Sequence, residues 1–148
     1  MKRPLLIGVG TPFAGDDAVG RWIAAQLSGP QEFDVVESTG IALDLLAQFD
    51  HRERVLIIDA CRSGVPVGTL HRINAHHDPL PAYMGQPSTH GMGVAEAVRL
   101  GETLGVLPKS LTIWAIEGVS FGLGSGMHPD VRKTAEQCVL ECHAFLKG

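Results

Sequence analysis

A chain of 148 residues has the length of one domain, and at that size roughly 68–70% of the unfolded surface is buried on folding. Hydrophobic residues make up 45% of it and charged residues 19%, a balance that excludes global disorder. Twelve Lys plus Arg against sixteen Asp plus Glu give a formal net charge of −4 with no basic run, which excludes a nucleic-acid binder that works by neutralising phosphates. No apolar segment approaches the ~18 residues that span a bilayer. Met1-Lys2-Arg3-Pro4 leads into a short hydrophobic run that stops at a Gly-Thr-Pro turn and two aspartates, unlike a signal peptide or an anchor. Cys138 and Cys142 fall one helical turn apart, where Cβ atoms sit about 5–6 Å from each other, too far for a disulfide at about 3.5–4.5 Å. Cys61 has no evident partner, and the expectation is a reduced, cytoplasmic protein.

In chain order, Leu5-Leu6-Ile7-Gly8-Val9 is a continuous apolar run, as expected of a first, central strand covered on both faces. Val19, Trp22, Ile23 and Leu27 then recur at helical spacing between Asp16-Asp17 and Gly29-Pro30. Phe33 to Glu37 reads as a second strand, and Ile41 to Phe49 as a helix that buries Leu45, Leu46 and Phe49. Arg54-Val55-Leu56-Ile57-Ile58-Asp59 is a buried third strand ending in an acid. The segment from there to Thr69–Ile73 is too short for a parallel crossover, so the fourth strand is expected antiparallel to the third. Residues 75–89 hold three prolines and adjacent His76-His77 without periodicity, a long loop of the kind that carries function. Val94, Val98 and Leu104 mark a third helix and Leu111 to Ile116 a fifth strand. Val131, Ala135, Cys138, Val139, Cys142, Phe145 and Leu146 mark a C-terminal helix with Pro129 in its first turn.

This alternation predicts one α/β domain over residues 1–148 with three α/β/α layers. It has a five-stranded, mostly parallel sheet with one antiparallel strand, and helices on both faces. Ligands in such sheets bind outside the carboxyl ends of the strands, at a switch in strand order. Asp16-Asp17 after strand one, Asp59 at the end of strand three and His90 before helix three meet that rule. Two carboxylates and one imidazole suit a divalent first-row metal, and three protein ligands leave coordination positions open. Each also has a local explanation. Asp16 is a natural cap for helix one, Asp59 a strand-end acid and His90 a loop histidine. Asp17 is harder to explain so, because one cap suffices.

Other patterns are weaker. Gly8-Val9-Gly10 with Gly15 misses the G-x-G-x-x-G spacing, and two carboxylates at that helix start would repel a pyrophosphate. Gly118-Val119-Ser120-Phe121-Gly122 matches a nucleophile elbow by letter, but Leu123-Gly124-Ser125-Gly126 cannot start the helix an elbow requires. A serine hydrolase using Ser120 is therefore a minor alternative. His-Glu-x-x-His is absent.

Gly8-Val9-Gly10, Gly15-Asp16-Asp17-Ala18-Val19-Gly20, Leu56-Ile57-Ile58-Asp59-Ala60 and Ser88-Thr89-His90-Gly91-Met92 together resemble the motifs of the hydrogenase maturation proteases. Ile116-Glu117-Gly118 and Gly126-Met127-His128-Pro129-Asp130-Val131 match weaker stretches. The resemblance implies an endopeptidase that removes a short C-terminal extension from the large-subunit precursor of a nickel–iron hydrogenase once nickel is in place. It implies that Asp17, Asp59 and His90 hold that nickel, supplied by the substrate, and that the isolated protein can take another divalent metal there. Water is the expected attacker, activated either by the metal as a Lewis acid or by Asp17 as a general base; Glu117 is expected as an outer acid or a substrate contact, the Pro-rich loop as a cover for the extension, and the protein as a monomer. The chain departs from the family pattern at Thr11-Pro12, where an Asn is usual, and at Asp17, which is Glu in some relatives. The alternative from a different class is a nickel carrier or chaperone that uses the same ligands without cutting.

Overall fold

The computed structural model describes residues 2–29, 31–80 and 93–147. Strand β1 (Leu5–Val9) leads through a 3-10 turn (Gly15–Ala18) into helix α1 (Val19–Gln26), followed by β2 (Asp34–Ser38), α2 (Ala42–Gln48), β3 (Arg54–Cys61) and β4 (Leu70–Asn74). Helix α3 (Val94–Leu104), β5 (Ser110–Glu117) and α4 (Pro129–Lys147) complete it. The sheet order is β2-β1-β3-β5-β4, parallel except for β4, which pairs antiparallel with β5. The direction of β4 is as expected, but β5 lies between it and β3. The burial patterns account for this. Strand β3 is buried from Val55 to Cys61 and needs a neighbour on each side, whereas β4 carries His71, Arg72 and Asn74 and tolerates an edge.

Successive side chains point to opposite faces of a strand, so the sheet divides the interior in two. Leu5, Ile7, Val55, Ile57 and Ile113 pack beneath α2 and α3, with Ala42, Leu45, Val94 and Ala97. Leu6, Leu56, Ile58, Trp114 and Ile116 pack beneath α1 and α4, with Val19, Ile23, Val131, Ala135, Cys138 and Cys142. Leu104, expected on the buried face of helix three, is 64% exposed. The stripe that α3 buries is Val94, Ala97, Val98 and Gly101, and ten residues beyond Val94 the helix has turned past it. Cys61, Cys138 and Cys142 are buried free thiols. No helix among the described residues is long and apolar enough to cross a membrane.

Two glycines set how closely α1 approaches the sheet. A Cβ on Gly20 would stand 2.2 Å from the Ile58 carbonyl oxygen and 2.4 Å from that of Val9. One on Gly8 would stand 2.2 Å from the Gly20 carbonyl oxygen. Helix and strands therefore meet backbone to backbone. The glycines of the N-terminal motif have a packing explanation that owes nothing to nucleotide binding.

Candidate active site

Strands β2 and β3 flank β1 on opposite sides, and α1 and α2 cover opposite faces of the sheet. The strand order therefore switches between β1 and β3, where open α/β sheets leave a crevice at their carboxyl ends. Asp17 lies in the turn after β1 and Asp59 in the last third of β3. Both carboxyl groups are at that crevice and nearly inaccessible, at 3% and 2% exposure.

The turn that carries Asp17 folds back on the strand. Thr11 donates its backbone N–H to the Asp17 carbonyl at 3.2 Å, and a Cβ on Gly10 would stand 2.1 Å from that oxygen. Thr11 also gives hydrogen bonds to the Asp17 carboxyl from its hydroxyl and its backbone. Its place was read from sequence only as a departure from a motif. In the structure it is a donor aimed at the acid.

Burial raises the Asp17 carboxyl above its usual range, against the two bonds from Thr11. Asp59 is pushed up much further, first by burial and then by the charge of Asp17, with only the Ala60 N–H working against it; that N–H lies 2.8 Å from Asp59 Oδ1. Two carboxyls from distant parts of the chain thus repel one another in a poorly hydrated crevice, and a divalent cation relieves that repulsion. His90, the third expected ligand, lies outside the described residues, as does most of the Pro-rich loop.

Asp16 does not cap α1. No side-chain cap bond closes that helix or the 3-10 turn before it. Its carboxylate, 0% exposed, accepts backbone N–H groups from across the fold. Val119 and Ser120 donate to Oδ2 at 2.8 and 2.9 Å, and His128 to Oδ1 at 2.7 Å. The Asp16 N–H in turn donates to the Ser120 carbonyl at 2.7 Å. The adjacent acids have divided their work, one holding the loop after β5 against the turn and the other facing the crevice. Hydrogen bonds to a charged acceptor contribute about 1.5–3 kcal/mol each. Asp16→Ala is therefore expected to lower the stability read from urea unfolding by at least ~3 kcal/mol. Asp16→Asn, with one acceptor oxygen, recovers only part of it. A loss below ~1 kcal/mol would contradict this assignment.

Glu117, offered by the sequence as a substrate contact, has both oxygens engaged inside the protein. Oε2 accepts the backbone N–H of Ser63 at 2.7 Å and of Gly64 at 3.0 Å, and Oε1 accepts the Ser63 hydroxyl at 2.7 Å. Burial pushes this carboxyl up, but the bonds from Ser63, Gly64 and His71 outweigh it and hold it below its ordinary value. Ser120 follows a strand but precedes no helix until Pro129, so the nucleophile elbow is not built. His128 caps α4 with its ring, Nδ1 accepting the Asp130 N–H at 3.0 Å. Beside the turn lies an open groove of about 420 Å3, whose lining includes Phe13, Ala18, Trp22 and Met127. Phe13 is 84% exposed and held at φ 61°, its carbonyl accepting the Gly124 N–H at 2.8 Å. Strain of this kind in a bulky residue is found where function maintains it.

Comparison with known proteins agrees with this picture. The Hydrogenase 2 maturation protease of Escherichia coli (strain K12) is 25% identical over 152 residues, covering 98% of this chain and 91% of that one. The fold is that of the hydrogenase maturating endopeptidase HybD from E. coli, with a TM-score of 0.77 at 23% identity over 98% of this chain and 92% of that one. The [NiFe] hydrogenase maturation protease HybD from Thermococcus kodakarensis superposes with a TM-score of 0.70 at 21% identity, over 97% and 99% of the two chains. A family model described as hydrogenase maturation protease matches residues 18–143, a span that takes in α1 through most of α4 and includes Asp59. With sequence motifs, sheet topology and family model in agreement, the chain belongs to the hydrogenase maturation protease family and is a peptidase.

Proposed function

We propose that this protein is the endopeptidase that removes the C-terminal extension from the nickel-loaded large-subunit precursor of a nickel–iron hydrogenase. In this reading the substrate's own nickel is the recognition element. The observation that carries it is the pair Asp17 and Asp59, two buried carboxyls from separate strand ends, of which Asp59 is pushed up first by burial and then by the charge of Asp17. A crevice of this kind is short of positive charge and binds a cation by releasing protons. Nickel already seated in the precursor fills that need, with His90 as the third donor; a precursor without nickel lacks the anchor.

The scissile bond then sits over Asp17. In this reading water, and not a side chain, is the attacking group. Asp17 accepts the proton of that water as it adds to the carbonyl carbon, and returns a proton to the leaving amine. Burial of Asp17 favours this, since a carboxyl raised toward the working pH is a stronger base than an ordinary aspartate. The nickel of the substrate can also act as a Lewis acid on the carbonyl. The apolar groove beside the turn receives side chains of the extension.

The test is mass spectrometry of a nickel-loaded large-subunit precursor after incubation with this protein, beside nickel-free precursor and a His90→Ala protein. Loss of the C-terminal peptide in the first tube alone is the expected result. Trimming in all three would overturn nickel gating. Tight nickel binding without any trimming would identify a carrier.

A further inference from the structure

We propose that Cys61, His71 and Glu117 form a second metal site, for a borderline divalent cation of the zinc, cobalt and nickel class, at the β3-β5-β4 side of the sheet. This inference stands independently of the function proposed above.

The three residues come from three adjacent strands. Cys61 and Glu117 are register partners on β3 and β5. His71 on β4 pairs with Ala115, two residues before Glu117 on β5, so all three point from one face of the sheet. Their donor atoms all lie within 4.8 Å of one another. Cys61 Sγ is 3.4 Å from Glu117 Oε1, and His71 Nε2 is 3.2 Å from the same oxygen. A tetrahedral ion with bonds of about 2.0–2.3 Å has donor–donor edges of about 3.3–3.6 Å. The thiol–carboxyl and imidazole–carboxyl pairs are therefore at ligand spacing already, and no two of the donors stand more than 4.8 Å apart.

The surroundings favour the same reading. Glu117 is pinned from behind, through Oε2, by the N–H groups of Ser63 and Gly64. Oε1 faces the thiol and the imidazole, with the Ser63 hydroxyl as its third neighbour at 2.7 Å. Hydrogen bonds that orient a ligating carboxylate are the usual outer support of a metal site. Cys61 and Glu117 are buried, but His71 keeps 24% of its side-chain surface, so an ion reaches the cluster from the imidazole side. A sulfur, nitrogen and oxygen donor set selects against calcium and magnesium, which take oxygen ligands. The ion replaces the thiol hydrogen now shared with Glu117, and the imidazole shifts its proton from Nε2 to Nδ1 so that Nε2 becomes a ligand. One proton leaves to solvent for each ion bound, and the thiolate, imidazole and carboxylate occupy three positions with a fourth open.

The test is titration of the full-length protein with Co2+, followed by absorption spectroscopy. Thiolate-to-cobalt charge transfer in the near ultraviolet reports a Co–S bond, and it distinguishes this site from the all-carboxylate pair at the crevice. One equivalent of cobalt with that band is expected, both in the parent and in an Asp17→Asn/Asp59→Asn protein. Cys61→Ser abolishes the band, and His71→Ala, a change on the partly exposed edge strand, weakens cobalt binding by at least about 10-fold. Absence of the band from the parent, its survival in Cys61→Ser, or unchanged affinity in His71→Ala would each overturn the proposal. Circular dichroism of both variants separates loss of the site from loss of the fold.

Discussion

Asp59→Asn yields a protein that melts higher than the parent at neutral pH and no longer processes its substrate. Asn keeps the oxygen that accepts the Ala60 N–H and removes a carboxyl whose ionised form is opposed by burial and by Asp17. The sign of the stability change follows from proton linkage. Because the folded state raises the pKa of Asp59, it binds a proton more tightly than the unfolded chain does. That contribution is whole below the unfolded value of about 3.9 and is lost as pH rises through the raised folded value. The metal-free parent therefore loses stability across this window, and the Asn variant does not. The two melting curves coincide near pH 4 and separate as the pH climbs, by about 2–4 °C for every kcal/mol regained in a chain of this size. Processing of nickel-loaded precursor falls by more than the ~10–100-fold that follows loss of an outer hydrogen-bond partner of a metal ligand. Thermal melts at a series of pH values, beside the cleavage assay, check both halves. A variant equal to or less stable than the parent at neutral pH would remove the electrostatic argument for the crevice.

Gly20→Ala has the opposite character, a methyl group that unfolds or deforms the protein. In an ordinary helix this change stabilises, since alanine is favoured over glycine by about 1 kcal/mol. Here the added carbon would lie 2.2 and 2.4 Å from the carbonyl oxygens of Ile58 and Val9. Those oxygens belong to central strands buried on both sides, so neither can yield. Helix α1 must lift instead, opening the contacts of Val19, Ile23 and Ala24 and displacing the turn that carries Asp17. Overpacking costs about 1–3 kcal/mol and sometimes more; with backbone as the obstacle on both sides, the expected loss is at or beyond the top of that range. Total stabilities are about 5–15 kcal/mol, so most of the soluble yield goes with it. Urea unfolding of any soluble fraction checks the magnitude, with Gly93→Ala as control, because a Cβ there meets nothing within 4 Å among the described residues. Gly20→Ala behaving like that control would show that α1 is free to shift.

What could be read in the sequence depended on how local its cause was. Strands β1, β3 and β5 are continuous apolar runs whose pattern is complete within a few residues, and they were legible to within two positions. Strand β3 continues past Asp59 to Cys61 because β5 pairs with it as far as Glu117, a constraint that no window around Asp59 contains. The antiparallel sense of β4 was legible from the shortness of its connection, but its neighbour was not. Asp17 and Asp59 stood out because strand ends at a switch point are where ligands bind. Asp16 was misread for the converse reason. A cap is the nearest use for an acid at a helix start, whereas its actual partners lie 103 to 112 residues away. The pairing of Cys61 with His71 and Glu117 was equally hidden, since three strands must align before the donors meet. His90 was singled out from its motif and falls outside the described residues.

The bonds that Asp16 receives have a temporal side. A nascent chain emerges from its amino end, and both crevice acids are synthesised before β5 exists. The turn bearing Asp17 is held to its own strand by Thr11, but its brace through Asp16 closes only once Val119, Ser120 and His128 have been made and folded back onto it. A chain halted before β5 would contain both carboxyls without the brace that orients one of them. The turn that carries Asp17 is thus fully braced only late in synthesis, when the final quarter of the polypeptide closes on the first.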